Sequence, residues 1–222
     1  MSGPSFSFPL RPFADFYCAA SFLAADYHAK RGKWHRGSDL NLRTGGDTDL
    51  GYPVSSCVPG VVVSAQKIVG SWGGIVVVRA DEWVKKLAEE AFERPIGVLE
   101  VQYAHLHHVT VRAGEPLNAG DVVGSLGKGT FGDYLAHLHI EVRTSEFAAG
   151  LAQGGTQADY EYAQAHCLDP ERFFQLLPLS DHPNTLAQRP YYAPSRILHL
   201  EHSGETNTVV HAVGDKLYLR GF

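Results

Sequence analysis

From about Leu40 to Val142, the apolar residues fall into short runs broken by Gly and Pro. VPGVVVSA (Val58 to Ala65) reads as a turn and a strand, and GGIVVVRA (Gly73 to Ala80) as a second strand. VLEVQYAHL (Val98 to Leu106) alternates, which predicts Leu99, Val101, Tyr103 and His105 on one face. VTVRAGEPLNAGDVVGSLG (Val109 to Gly127) holds two shorter apolar pieces. AHLHIEVR alternates strictly, with Ala136, Leu138, Ile140 and Val142 on one side and His137, His139, Glu141 and Arg143 on the other. Many short strands at close spacing predict a mainly β fold, an antiparallel sandwich or barrel-like sheet.

One segment changes period. DEWVKKLAEEAFER (Asp81 to Arg94) places Trp83, Leu87 and Ala91 four apart, with Val84, Ala88 and Phe92 beside them. This predicts an amphipathic helix inserted between two strands. Glu146 to Gln157 is rich in Gly and Ala and reads as a loop. Asp169 caps a predicted short helix that has Pro170 at its first position and runs through Phe173, Phe174 and Leu176. Three prolines between Ser180 and Pro194 mark a linker, followed by strand-like SRILHLEH, NTVVHAV and KLYLRGF. The expected organisation is a main domain over 14–178 and a linker with a small β extension over 179–222.

At 222 residues, the chain is long enough to bury a core without disulfide staples. The net charge of -5, with no long basic run, argues against a nucleic-acid partner. Cys18, Cys57 and Cys167 are scattered, odd in number and form no CxxC, so small buried hydrophobes are expected. No stretch is long and apolar enough to span a membrane. FYCAASFLAA (Phe16 to Ala25) has the small residues of a signal-peptide core, yet prolines and Asp15 precede it. It reads instead as the entry strand of the domain.

The chemistry lies in three motifs: His35-Arg36-Gly37-Ser38-Asp39, Tyr103-Ala104-His105-Leu106 and His137-Leu138-His139-Ile140-Glu141. The third, as a strand with its apolar face inward, presents two imidazoles side by side, with Glu141 placed to orient one of them. Two histidines and an aspartate form a three-ligand set that leaves a fourth zinc position open for water or substrate. Peptide hydrolysis also needs a proton acceptor and an oxyanion partner, roles suited to His105 and His137.

With HRGSDL, VPGVVVSA, GGIVVVRA, YAHL, VRAGEPLNAGDVVGSLGKG and HLHIE in this order, the sequence resembles the lysostaphin-type zinc metalloendopeptidases, which cut peptides of bacterial cell walls. The resemblance runs from about Ser21 to Phe174. It implies one zinc per chain on His35, Asp39 and His139, catalysis by His105 and His137, and a peptide or peptidoglycan substrate. It also implies a location in the cell envelope or outside the cell. The alternatives are a non-catalytic docking or regulatory module of the same fold, or a zinc peptidase with another substrate. Of the other histidines, His107 and His108 are expected in a solvated loop, and His28, near the first motif in sequence, is not expected to line the site. Tyr103 is expected to pack with its hydroxyl near the site, and Tyr134 to lie in the loop before His137. Lys30, Arg31, Lys33 and Arg36 read as a solvated basic turn.

Overall fold

The computed structural model describes residues 7–11, 15–130, 132, 134–146, 151–176, 208–213 and 216–221. The chain runs β1 (Phe16–Ala20), α1 (Ala25–Arg31), β2 (Ser38–Leu42), β3 (Pro53–Ser55), β4 (Gly60–Gln66), β5 (Gly74–Ala80), α2 (Glu82–Phe92) and β6 (Glu100–Val109). It continues with β7 (Pro116–Leu117), β8 (Val122–Leu126), β9 (Leu138–Arg143), α3 (Gln157–His166), β10 (Cys167–Leu168), α4 (Pro170–Leu176), β11 (Thr208–Val213) and β12 (Lys216–Gly221).

The first ten strands form one sheet in the order β1-β2-β9-β6-β5-β4-β7, with β10 on β9 and β8 pairing both β6 and β3. The pairings are antiparallel, as the alternation predicts, but the sheet is open rather than closed into a barrel. Strand β6 changes partner along its length. Glu100 to Ala104 pair with β9, whereas Leu106 to Val109 pair with β8.

One face of the sheet carries the main core. Leu138, Ile140 and Val142 meet Val101, Tyr103, Val76 and Val78 there. A fully buried Val, Leu or Ile contributes roughly 1.5–3 kcal/mol, so this face fixes β9 and β6 firmly beneath whatever the opposite face presents. Helix α2 forms where the period predicts it, between β5 and β6, but its seam is rotated. Val84 and Ala88 are buried, Trp83 and Phe92 flank them, and Leu87 is 38% exposed. Helix α4 places Phe173 and Phe174 on the same core, and Asp169 Oδ1 accepts the Glu171 N–H at 2.9 Å.

Two helices were not anticipated. Helix α1 buries none of its residues, so no apolar stripe announced it. Helix α3 buries Ala163 but opens with a reciprocal capping box between Thr156 and Asp159, a signal present in the sequence as TQAD. Cys57 and Cys167 are buried, Cys18 is half-buried, and all three are free thiols. Strands β11 and β12 pair antiparallel, in keeping with a β extension. The predicted linker over 180–194 and the strand over 195–202 lie outside the described residues.

Candidate metal centre

The register between β2 and β9 sets Asp39 directly opposite His139, so the two side chains share a face. His35 reaches them through a tight approach of the backbone. At Gly37 an added Cβ would lie 2.2 Å from the Ile140 carbonyl oxygen, so this position accepts only glycine. The segment from His35 to Asp39 therefore presses onto β9. His35 Nε2 ends 3.1 Å from Asp39 Oδ1 and 3.0 Å from His139 Nδ1, and His139 Nδ1 is 2.8 Å from Asp39 Oδ1. His35 and His139 are almost fully buried.

The outward nitrogens explain why the inward ones converge. His35 Nδ1 donates to the Ser21 carbonyl at 3.1 Å. His139 Nε2 donates to Glu141 Oε1 at 2.9 Å, and the other Glu141 oxygen accepts from Arg143 Nε at 3.0 Å. Arg143 in turn donates to Gln102. Each of these acceptors fixes a tautomer by holding the N–H on the outward nitrogen, which leaves the inward nitrogen to act as a ligand.

His105 arrives differently. Regular alternation would place it on the core face with Tyr103, as the sequence predicts. Instead, Ala104 and His105 together stand opposite Ile75 of β5, where the β5–β6 register shifts by one residue. His105 itself has φ 66°, the left-handed region that non-glycine residues rarely adopt. This β-bulge turns His105 to the face of His139 and returns Leu106 to the core. Gly127 makes room for it, because a Cβ there would lie 2.6 Å from the His105 carbonyl oxygen. The bulge sits where β6 leaves β9 for β8. His105 Nδ1 lies 3.1 Å from the Trp72 carbonyl and 2.5 Å from the Tyr134 hydroxyl, which itself donates to the Ser71 carbonyl. His137 Nδ1 donates to the Leu135 carbonyl at 2.7 Å, and its Nε2 lies 3.7 Å from Asp39 Oδ1. The rings of His105 and His137 are 4.6 Å apart.

The electrostatics follow from this packing. Burial acts to raise the Asp39 pKa, but the charges of His35 and His137 and the imidazole hydrogen bonds hold it well below the carboxylate range. Burial acts to lower the His139 pKa, and its bonds to Asp39 and Glu141 carry it up to about 9. Burial opposes ionisation of Glu141, yet His139 and Arg143 bring its pKa down to about 2. Burial pushes His105 well below the usual histidine value, and the charges of His137 and His139 add to this. His105 is therefore neutral at physiological pH.

The donor set fits zinc. Bonds of about 2.0–2.1 Å in a tetrahedral site imply ligand–ligand edges of about 3.3 Å. The observed edges are 2.8–3.1 Å, a few tenths of an ångström shorter. Two imidazole nitrogens and one carboxylate also match its preference, and three protein ligands leave a fourth position open.

The sequence missed two neighbours. Trp72, from the turn before β5, stacks on His105 and sets its edge against His139. Tyr27 of α1 stacks on His35 at 4.5 Å. An isolated tryptophan and a tyrosine in an unrecognised helix gave no readable signal. Several expectations need correction. Tyr103 packs in the core on the opposite face, where its hydroxyl accepts the Cys57 N–H. His107 and His108 lie within β6, although both are exposed. His28 is not among these; it stacks on Trp34 at 4.0 Å, outside the cluster. Arg36 is buried, faces Tyr162 and pairs with Asp159 at 3.8 Å, so it is not part of a solvated turn.

The cluster opens onto a groove of about 810 Å³ between two walls, one formed by α1 and residues 152–153, the other by Trp72, Tyr134 and Leu135. Neither a family model nor a curated protein matches the sequence. Among solved structures, lysostaphin of Staphylococcus simulans, an antimicrobial peptidase, aligns with a TM-score of 0.54 and 16% identity. The alignment covers 95% of this chain and 66% of that one. A chain of the SpoIIQ–SpoIIIAH pore-forming complex aligns with a TM-score of 0.50 and 19% identity, over 78% of this chain and 92% of that one. A zinc-containing peptidase from Vibrio cholerae aligns at 0.45 and 22% identity, over 62% of this chain and 36% of that one. The fold is thus of the lysostaphin type, and at these identities the likeness is one of fold.

Proposed function

We propose that this chain is an endopeptidase that hydrolyses peptide bonds with one zinc ion held by His35, Asp39 and His139. The observation that carries this reading is the common orientation of four imidazoles. Each has one nitrogen tied to a carbonyl or carboxylate outside the cluster, and each turns the other nitrogen toward a shared space beside Asp39. Bound zinc supplies a Lewis acid and a water of lowered pKa. His105, neutral and with its Nδ1 engaged, accepts the proton of the attacking water at Nε2. His137, once protonated at Nε2 beside Asp39, donates to the developing oxyanion or to the leaving amine.

The substrate in this reading is a peptide of the bacterial cell wall, and the protein acts in the envelope or outside the cell, as the resemblance to the lysostaphin-type peptidases implies. Among the described residues, no helix is long and apolar enough to cross a membrane. A docking module is the second reading, because the fold also occurs in the SpoIIQ–SpoIIIAH complex. Docking does not require four inward-facing imidazoles.

The test is metal content of the purified chain together with release of soluble peptide from cell walls, with and without chelator. About one zinc per chain and chelator-sensitive release are expected. His139→Ala should lose zinc, whereas His137→Ala should keep zinc and lose turnover. A fully active His139→Ala protein would overturn the ligand assignment, and absence of both zinc and release would favour docking.

A further inference from the structure

Helix α1 forms one wall of the groove, and its charges are not used by the chemistry described above. Tyr27 stacks on the metal-ligand candidate His35. Lys30 and Arg31, three and four residues later, lie on the same face of the helix and line the groove, and Lys33 follows them there. Asp26 is the acid on this wall, and it lies 3.6 Å from Lys30. Among the described residues, Arg31 and Lys33 have no ion-pair partner. The wall is also anchored. The Trp34 N–H donates to the Gly154 carbonyl at 2.8 Å, His28 Nε2 bonds the Gly155 carbonyl at 3.0 Å, and the two rings stack. The positive charges therefore project, on exposed side chains, from an anchored wall that lines the groove beside the candidate metal centre.

We infer that this wall selects a peptide that carries a carboxylate on the α1 side of the cleaved bond. The inference rests on the peptidase reading for the meaning of "cleaved", but the binding itself does not depend on it. Four residues of helix span about 6 Å, and an extended peptide advances about 3.3–3.6 Å per residue. The carboxylate then falls about two residues from the scissile bond. The opposite wall offers Trp72, Tyr134 and Leu135, an aromatic and apolar surface that adds no charge preference.

The experiment uses short blocked peptides of Gly and Ala with a single Glu moved along the chain, and a matched series with Gln. Binding to the 222-residue chain is followed by fluorescence anisotropy in the presence of chelator, so that no turnover intervenes. Glu peptides should bind about fivefold tighter than their Gln partners at one or two neighbouring placements, since an exposed charge pair contributes up to about that factor. The preference should shrink as ionic strength rises. It should vanish in the combined Lys30→Gln, Arg31→Gln, Lys33→Gln variant and reverse in favour of Gln when the same three positions become Glu. Equal binding of the two series, or a preference that survives the triple substitution, would overturn the inference. A preference for Glu in a protein that neither binds zinc nor releases peptide from cell walls would leave this inference standing and remove the peptidase reading. Cleavage with equal binding would do the opposite.

Discussion

The carboxylate of Glu141 is the part of the centre whose removal has the most calculable effect. It is buried, accepts the His139 Nε2–H at 2.9 Å, and accepts from Arg143 Nε at 3.0 Å. In Glu141→Gln one oxygen becomes an NH2 group. The amide can accept from His139 or from Arg143, but its other end then points a donor at a donor. Two costs follow. Loss of the acceptor that orients a metal-ligating histidine typically weakens metal binding about 10–100-fold. Leaving the Arg143 cation buried without its carboxylate costs about 3–5 kcal/mol. For a domain of this size each kcal/mol is about 2–4 °C, so Tm should fall by roughly 6–20 °C. Zinc affinity is read by competition with a chromogenic chelator, and stability by thermal unfolding of the metal-free protein. The double variant Glu141→Gln, Arg143→Met separates the two costs. It should recover most of the stability, because the cation that lost the Glu141 carboxylate is gone, yet keep the weakened zinc affinity. If the single variant binds zinc within about twofold of the parent while folded, the orienting role assigned to Glu141 is wrong.

Two further predictions concern strain and pH. At φ 66° glycine fits without penalty, whereas an L side chain costs about 1–2 kcal/mol, so His105→Gly should be more stable than His105→Ala by about 1 kcal/mol in urea unfolding. Equal stability, or a more stable alanine variant, would show that the bulge relaxes; both variants should lose turnover. For the metal-free protein, Glu141 is depressed from 4.5 to about 2, so its contribution is present above pH 4.5 and lost as pH falls toward 2. His139 is raised from 6.5 to about 9, so its contribution is present below pH 6.5 and lost as pH rises through 9. Both shifts describe the same contact, and stability measured against pH should therefore peak between about 4.5 and 6.5. Zinc must displace the His139 proton, so its affinity should instead rise with pH, up to about tenfold per unit below pH 9. Zinc affinity that is flat between pH 6 and 8 would contradict this.

The strands were readable because one face of each is apolar. Strict alternation in β9 put Leu138, Ile140 and Val142 in the core and His139, Glu141 and Arg143 opposite, where the structure has them. The same rule failed in β6 at His105, because a bulge adds one residue and reverses the faces beyond it. Nothing in YAHL signals that reversal. Its enabling feature is Gly127, more than twenty residues later in the chain. The α2 period gave the helix but not its rotation, since Trp83, Val84, Leu87 and Ala88 form a stripe wider than the buried seam. Helix α1 was hidden because it rests on the site by polar and aromatic contacts rather than on the core. Trp72 and Tyr27, which hold the imidazoles by stacking, carry no spacing that links them to the motifs they serve.

A fold that lysostaphin shares with a component of a pore-forming complex does not by itself distinguish catalysis from docking, so the distinction has to come from what the fold is made to tolerate. Here the candidate site contains an arrangement that stability alone disfavours. His105 adopts a left-handed backbone that costs about 1–2 kcal/mol. The nearby core shows how the same strands pack when nothing else is asked of them, with Ile140, Val142 and Val101 in close apolar contact. The left-handed backbone at His105, which brings its imidazole beside His137 and His139, is explained by a function that needs those side chains together. A docking surface would leave the strain without a cause.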